Sequence, residues 1–124
     1  MPLRASIIIV SYNSRGDLAY CLPALLADSR PDYEIIVVDN NSQDDTVAFV
    51  QTYFPTVKLV LNAQNNGFGG GCNLGAKEAS GQFLAFLNPD TLIEKDWLAP
   101  PVAHHAPSLF KKQGLRYHGH GSDS

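Results

Sequence analysis

Four short runs of consecutive apolar residues, each closed by Asn, Asp, Ser or Gly, constrain the fold of this chain most. They are ASIIIVSY from Ala5 to Tyr12, YEIIVV from Tyr33 to Val38, VKLVL from Val57 to Leu61 and QFLAFL from Gln82 to Leu87. The β-branched runs of the first two suit strands buried on both faces, and the other two read as further strands. Helical spacing lies between them. Asp17 to Ala27 puts Leu18, Cys21, Leu22, Leu25 and Leu26 on one face, with Pro23 placed to kink that helix or shift its start. Ser29 to Asp32 reads as a turn. Asp44 to Tyr53 carries Val47, Phe49 and Val50, with Asp44 and Asp45 near its positive end. Asn62 to Gly71 reads as a glycine- and asparagine-rich loop, and Cys72 to Ala79 as a helix after it.

Strand and helix alternate three times before a last strand. That order predicts an α/β fold with a Rossmann-like, mostly parallel sheet and flanking helices. Ligands of such sheets bind beyond the carboxyl ends of the strands. Four polar segments fall at those ends: Ser11 to Ser14, Asp39 to Ser42, Asn62 to Gly71 and Asn88 to Asp90. The unusual polar chemistry therefore gathers on one rim.

Bulk properties narrow the function. The chain has 124 residues, 44% hydrophobic and 17% charged, with a net charge of −3. This is a globular composition with no general attraction to nucleic acid or anionic membrane. Cys21 and Cys72 form no metal-spaced pair and read as small buried residues. The run from Ile7 to Val10 is too short for a signal-peptide core or a membrane span. The expected location is cytoplasmic, with peripheral membrane association through parts of a longer protein as the alternative.

Each rim segment offers chemistry, and each has a plainer reading. Asp90, next to Asn88, can hold a divalent cation against a diphosphate, because Mg²⁺ and Mn²⁺ often use one or two carboxylates plus substrate phosphates. Asn-Pro-Asp-Thr is equally a turn, and Asp can cap a helix. Asp39 ends an apolar strand and can accept an N–H from a pyrimidine base; it can also close an Asx turn in DNNSQDDT. Tyr12 can stack on a base or simply pack at the rim. The loop NNGFGGGCNLG allows close backbone approach, and the helix start after it can meet phosphate or ribose oxygens. It is neither a P-loop, since Ala76 stands where Lys is needed, nor a GxGxxG fingerprint, since Cys72 replaces the third Gly.

Jointly, SIIIVSYNS, EIIVVDNNSQDDT and NNGFGGGCNLGAKEASGQFLAFLNPDT resemble the family-two glycosyltransferases with the GT-A fold, especially their rhamnosyltransferase-like branch. The resemblance runs from about Ala5 to Trp97. It implies an inverting, metal-dependent transferase that moves a sugar from a UDP- or dTDP-sugar to a saccharide or lipid-linked acceptor, in cell-wall or polysaccharide biosynthesis. It implies nucleotide-binding roles for Tyr12, Asp39, Asn66, Gly67, Asn73 and Asn88, and an Mg²⁺ or Mn²⁺ ligand in Asp90. The family's DxD motif is spelled NPD here, so its first carboxylate is missing.

Helical spacing from Glu94 to Leu98 is interrupted by Pro100 and Pro101, and from His104 onward the sequence shows no core element. Residues 1–103 are expected to form the nucleotide-sugar-binding part. Residues 104–124, with His104, His105, His118 and His120, are expected to be a disordered or appended tail. No match to the family's general base follows Trp97. A truncated donor half is therefore expected, one that binds donor without transferring sugar and self-associates through uncovered apolar surface. Two other readings stand beside it: a non-catalytic nucleotide-sugar-binding or partner domain, and a sugar nucleotidyltransferase. The latter usually has a basic glycine-rich loop near the first strand, where this chain offers only Arg15.

Overall fold

The first strand, β1 (Ala5–Ser11), is buried at all seven positions. That requires cover on both sides, and the rest of the chain supplies it. The structure, a computed structural model, describes residues 5–27, 33–90 and 109–111. After β1 come α1 (Arg15–Leu26), β2 (Tyr33–Asp39), α2 (Thr46–Tyr53), β3 (Lys58–Leu61), α3 (Gly67–Glu78), β4 (Phe83–Leu87) and β5 (Leu109–Lys111). The sheet order is β3-β2-β1-β4-β5. β1 runs parallel to β2 and β4, and β2 parallel to β3.

The pleat sends successive side chains to opposite faces, so each central strand feeds two cores. Ile7, Ile9, Ile35, Val37, Ala85 and Leu87 meet α1 and α2 on one face. Ile8, Val10, Ile36, Val38, Leu84 and Phe86 meet Cys72 and Ala76 of α3 on the other. This two-sided burial is the α/β architecture that the apolar runs predict.

Several boundaries differ from expectation. α1 starts at Arg15, because the carbonyl of Ser14 already accepts the Leu18 N–H at 2.9 Å. Pro23 sits inside it without ending it. α2 starts at Thr46, because Asp44 first folds back to accept the Thr46 N–H at 3.0 Å. The largest difference is α3. The glycines expected in a loop are helical from Gly67 onward.

Their reason is proximity. A Cβ on Gly71 would lie 2.5 Å from Cγ1 of Val10, and one on Gly75 2.5 Å from Cγ2 of Ile8. Only bare backbone lets α3 lie this close to the sheet, and that packing outweighs the low helix propensity of glycine. Lys58 on β3 closes the far end of α3, donating to the Glu78 carbonyl at 2.8 Å, where a cation suits the helix dipole.

β5 is a second difference. It lies in the stretch where the sequence shows no core element, yet it pairs antiparallel with β4, Leu84 opposite Phe110. Three residues are too few to display a period. The expected turn at Ser29–Asp32, the Glu94–Leu98 helix and the four histidines lie outside the described residues. Among the described residues, no helix is long and apolar enough to cross a membrane.

Candidate functional site at the carboxyl rim of the sheet

The rim is built where β1, β2 and β3 run out together. Ser11 and Asp39 are the last partners of the β1–β2 ladder, and Asp39 and Leu61 the last of β2–β3. Backbone bonds continue the ladders one step further: Asn40 N–H donates to the Ser11 carbonyl at 2.8 Å, and Asn62 N–H to the Asp39 carbonyl at 2.9 Å. Asp39 is thus held from both neighbouring strands.

Asp39 is only 2% exposed. Its Oδ2 accepts the Ser42 N–H at 2.8 Å, and its Oδ1 accepts the Ser42 hydroxyl at 2.6 Å. The turn reading of DNNS is therefore realised locally, at a carboxylate that also sits on the rim. Tyr12 follows β1 directly and is 44% exposed, so its ring is available to a flat ligand.

Asn66 and Gly67 occupy the start of α3. Gly67 has φ of 82°, a left-handed conformation that suits glycine. Asn40, buried behind Asp39, donates its side-chain N–H to the Gly67 carbonyl at 3.0 Å. Asn62 donates to Oδ1 of both Asn40 and Asn66, each at 2.8 Å. These asparagines fasten the ends of β2 and β3 to the beginning of α3. The first amides of such a helix have no intrahelical acceptor, and its dipole favours an anion there.

Asn73 is set deeper. It lies two turns into α3, roughly 9 Å along the axis from Gly67 at the standard rise per residue. Its Oδ1 is buried without a hydrogen-bond partner among the described residues, as is the Ser11 hydroxyl. Asn88 and Asp90 are exposed just past β4, across β1 from Asp39. Among the described residues, no three His, Cys, Asp or Glu gather as a metal cluster. Asp90 offers one carboxylate, with the Asn88 amide beside it. These oxygen donors fit a hard divalent cation that takes most of its shell from a diphosphate and water.

Other polar groups are occupied. Arg15 pairs with Asp45 at 3.1 Å and lies over the Phe49 ring, 4.8 Å from its centre, so it turns toward α2. The Thr46 hydroxyl beside Asp44 lowers the Asp44 pKa. Burial pushes the Cys21 thiol up to about 11 and Cys72 up to about 12, as expected of inert packed thiols. A groove of about 270 Å³, lined by Leu25, Tyr33, Ile35 and Val57 among others, opens at the opposite end of the strands from the rim.

Motif reading alone does not mark Asn13, Asn40, Ser42 and Asn62 as site residues. One signal for Asn40 is present in the sequence: it follows Asp39 on the alternate face, where α3 must pack.

The comparisons with known proteins agree with this fold. The family model for glycosyl transferase family 2 matches residues 6–107. The glycosyltransferase AglE of Haloferax volcanii is 33% identical over 103 residues, covering 79% of this chain and 34% of that protein. The Escherichia coli UDP-Glc:alpha-D-GlcNAc-diphosphoundecaprenol beta-1,3-glucosyltransferase WfgD is 33% identical over 107 residues, covering 86% of this chain and 41% of that one. The crystal structure of Staphylococcus aureus TarS 1-349 in complex with UDP superposes with a TM-score of 0.73 at 30% identity, covering 82% of this chain and 31% of that one. The chain thus spans well under half the length of these relatives. The parallel sheet, its flanking helices and these matches together establish that the chain has the GT-A fold and belongs to glycosyl transferase family 2, a family of transferases.

Proposed function

We propose that this chain carries the donor side of an inverting, metal-dependent glycosyltransferase that takes a uridine or thymidine diphosphate sugar. The observation that carries this reading is the convergence of Tyr12, Asp39, the start of α3 and Asp90 on one rim. Tyr12 stacks on the base, and Asp39 accepts its imide N–H. Asn66, Gly67 and Asn73 flank the nucleotide, and Asn88 contacts the ribose. TarS has been captured with UDP, and with UDP-GlcNAc, in the same fold.

Asp90 would hold Mg²⁺ or Mn²⁺, which when bound offsets the charge growing on the leaving diphosphate. The positive end of α3 contributes in the same direction. Inversion also needs a base on the acceptor side, and we assign none to the described residues. The acceptor is a saccharide or lipid-linked sugar, by analogy with WfgD, and the setting is polysaccharide or cell-wall synthesis. Motif spelling favours the rhamnosyltransferase-like branch, and the cytoplasm is the proposed location.

Calorimetric titration of the chain with UDP, with and without Mn²⁺, tests the reading. Metal-enhanced UDP binding that Asp90→Ala removes is the expected result. Equal metal dependence in both proteins would sink the Asp90 assignment.

A further inference from the structure

We infer that Asn13 and Ser42 are positioning residues that set base specificity through Asp39. This inference rests on the reading of Asp39 as the base acceptor. The Ser42 oxygen accepts the Asn13 backbone N–H at 2.9 Å. A backbone N–H can only donate, so that bond occupies an acceptor site on the hydroxyl and directs its proton elsewhere. The proton goes to Oδ1 of Asp39 at 2.6 Å, while the Ser42 N–H binds Oδ2 at 2.8 Å. One residue therefore grips both carboxylate oxygens, and the relay runs in one direction only.

Asn13 is anchored in turn. Its φ of 49° is left-handed, which asparagine tolerates better than most residues. Its Oδ1 accepts the N–H groups of Gln43 at 2.7 Å and Asp44 at 3.3 Å. The loop after β1 thus clamps the loop after β2 at Ser42 and the two residues that follow it. A carboxylate has about four lone-pair sites, and the clamp consumes two with donors. The remaining two can only accept. A base presenting an N–H at its pairing edge, as uracil does, fits that edge. Cytosine presents a bare ring nitrogen there, which an acceptor repels, and only its flanking amino group, displaced to one side, can donate. The clamp keeps Asp39 from rotating to relieve the mismatch.

The experiment compares UDP and CDP affinities, at fixed Mn²⁺, for the 124-residue chain and for Ser42→Ala, Ser42→Thr, Asn13→Gly and Asp39→Asn. The expected result is a UDP preference that falls about tenfold in Ser42→Ala, the size of one charge-assisted hydrogen bond. Ser42→Thr restores most of it, since the hydroxyl returns. Loss of general stability would weaken both nucleotides alike and leave the ratio unmoved. Asn13→Gly keeps the left-handed backbone and the N–H but removes the Oδ1 anchor; it should lower the ratio less, and it carries the test if Ser42→Ala does not fold. An unchanged ratio in Ser42→Ala, or in Asn13→Gly in its place, with a collapsed ratio in Asp39→Asn overturns the positioning role alone. An unchanged ratio in Asp39→Asn overturns the base reading and this inference with it.

Discussion

The side-chain amide of Asn40 donates to the backbone carbonyl of Gly67 at 3.0 Å, joining the end of β2 to the first residue of α3 across 27 positions of sequence. Asn40 is 2% exposed, and its oxygen is held by Asn62. Asn40→Ala should cost the part-buried Gly67 carbonyl and Asn62 amide one partner each and lower stability by about 1–3 kcal/mol. Asn40→Asp sets an acceptor against an acceptor and should cost at least as much. Chemical denaturation with matched m-values measures both.

Asp39→Asn replaces an acceptor-only group with one that also donates. UDP affinity should fall by about 1–3 kcal/mol, as for a hydrogen bond to a charged group. ADP should bind poorly to both proteins. Calorimetry decides it, and a purine nucleotide that binds best would refute the pocket assignment.

Gly75→Val should destabilise the fold by about 1–3 kcal/mol through overpacking. Its Cβ would meet Ile8 at 2.5 Å and Val38 at 3.0 Å, both within the sheet. Gly16→Ala is the control, since nothing beyond its chain neighbours and its own helix backbone lies within 4 Å of that Cβ. A melting temperature equal to that of Gly16→Ala would show that α3 can lift off the sheet without penalty.

Cys21 and Cys72 are both buried, with thiols pushed up to about 11 and about 12 from an ordinary 9.0. They stay protonated at neutral pH. The folded state holds these protons more tightly than the unfolded state, so their contribution to stability is complete below about pH 9 and is lost as pH rises through 11 and 12. Labelling by an aromatic disulfide reagent at pH 8 should be slow in buffer and immediate in denaturant. Rapid labelling of the native chain would show that one helix opens easily.

The central strands are legible in the sequence because burial on both faces leaves a simple mark. SIIIV, EIIVV and FLAFL each fall inside a strand of the parallel sheet. The glycine segment misleads for an equally physical reason. Its local preference is for a loop, and what makes it helical is Val10 and Ile8, more than sixty residues away. The rim is legible as a set of strand ends. The grip of Ser42 on Asp39 is local, but its coupling to Asn13 spans 29 residues and leaves no periodic trace. The short β5 offers too few residues for a pattern to form.

At Gly71 and Gly75 the face that α3 turns to the sheet is bare backbone. A helix usually shifts against its neighbours by exchanging side-chain rotamers, and at these two positions α3 has none to exchange. It should behave as a fixed jaw of the proposed donor cleft, already in place before a nucleotide arrives. Substitutions at its rim end, on the side turned away from the sheet, will then weaken the bound state while leaving the free one as it was. The free protein will owe little ordering entropy on that side when it closes on its ligand.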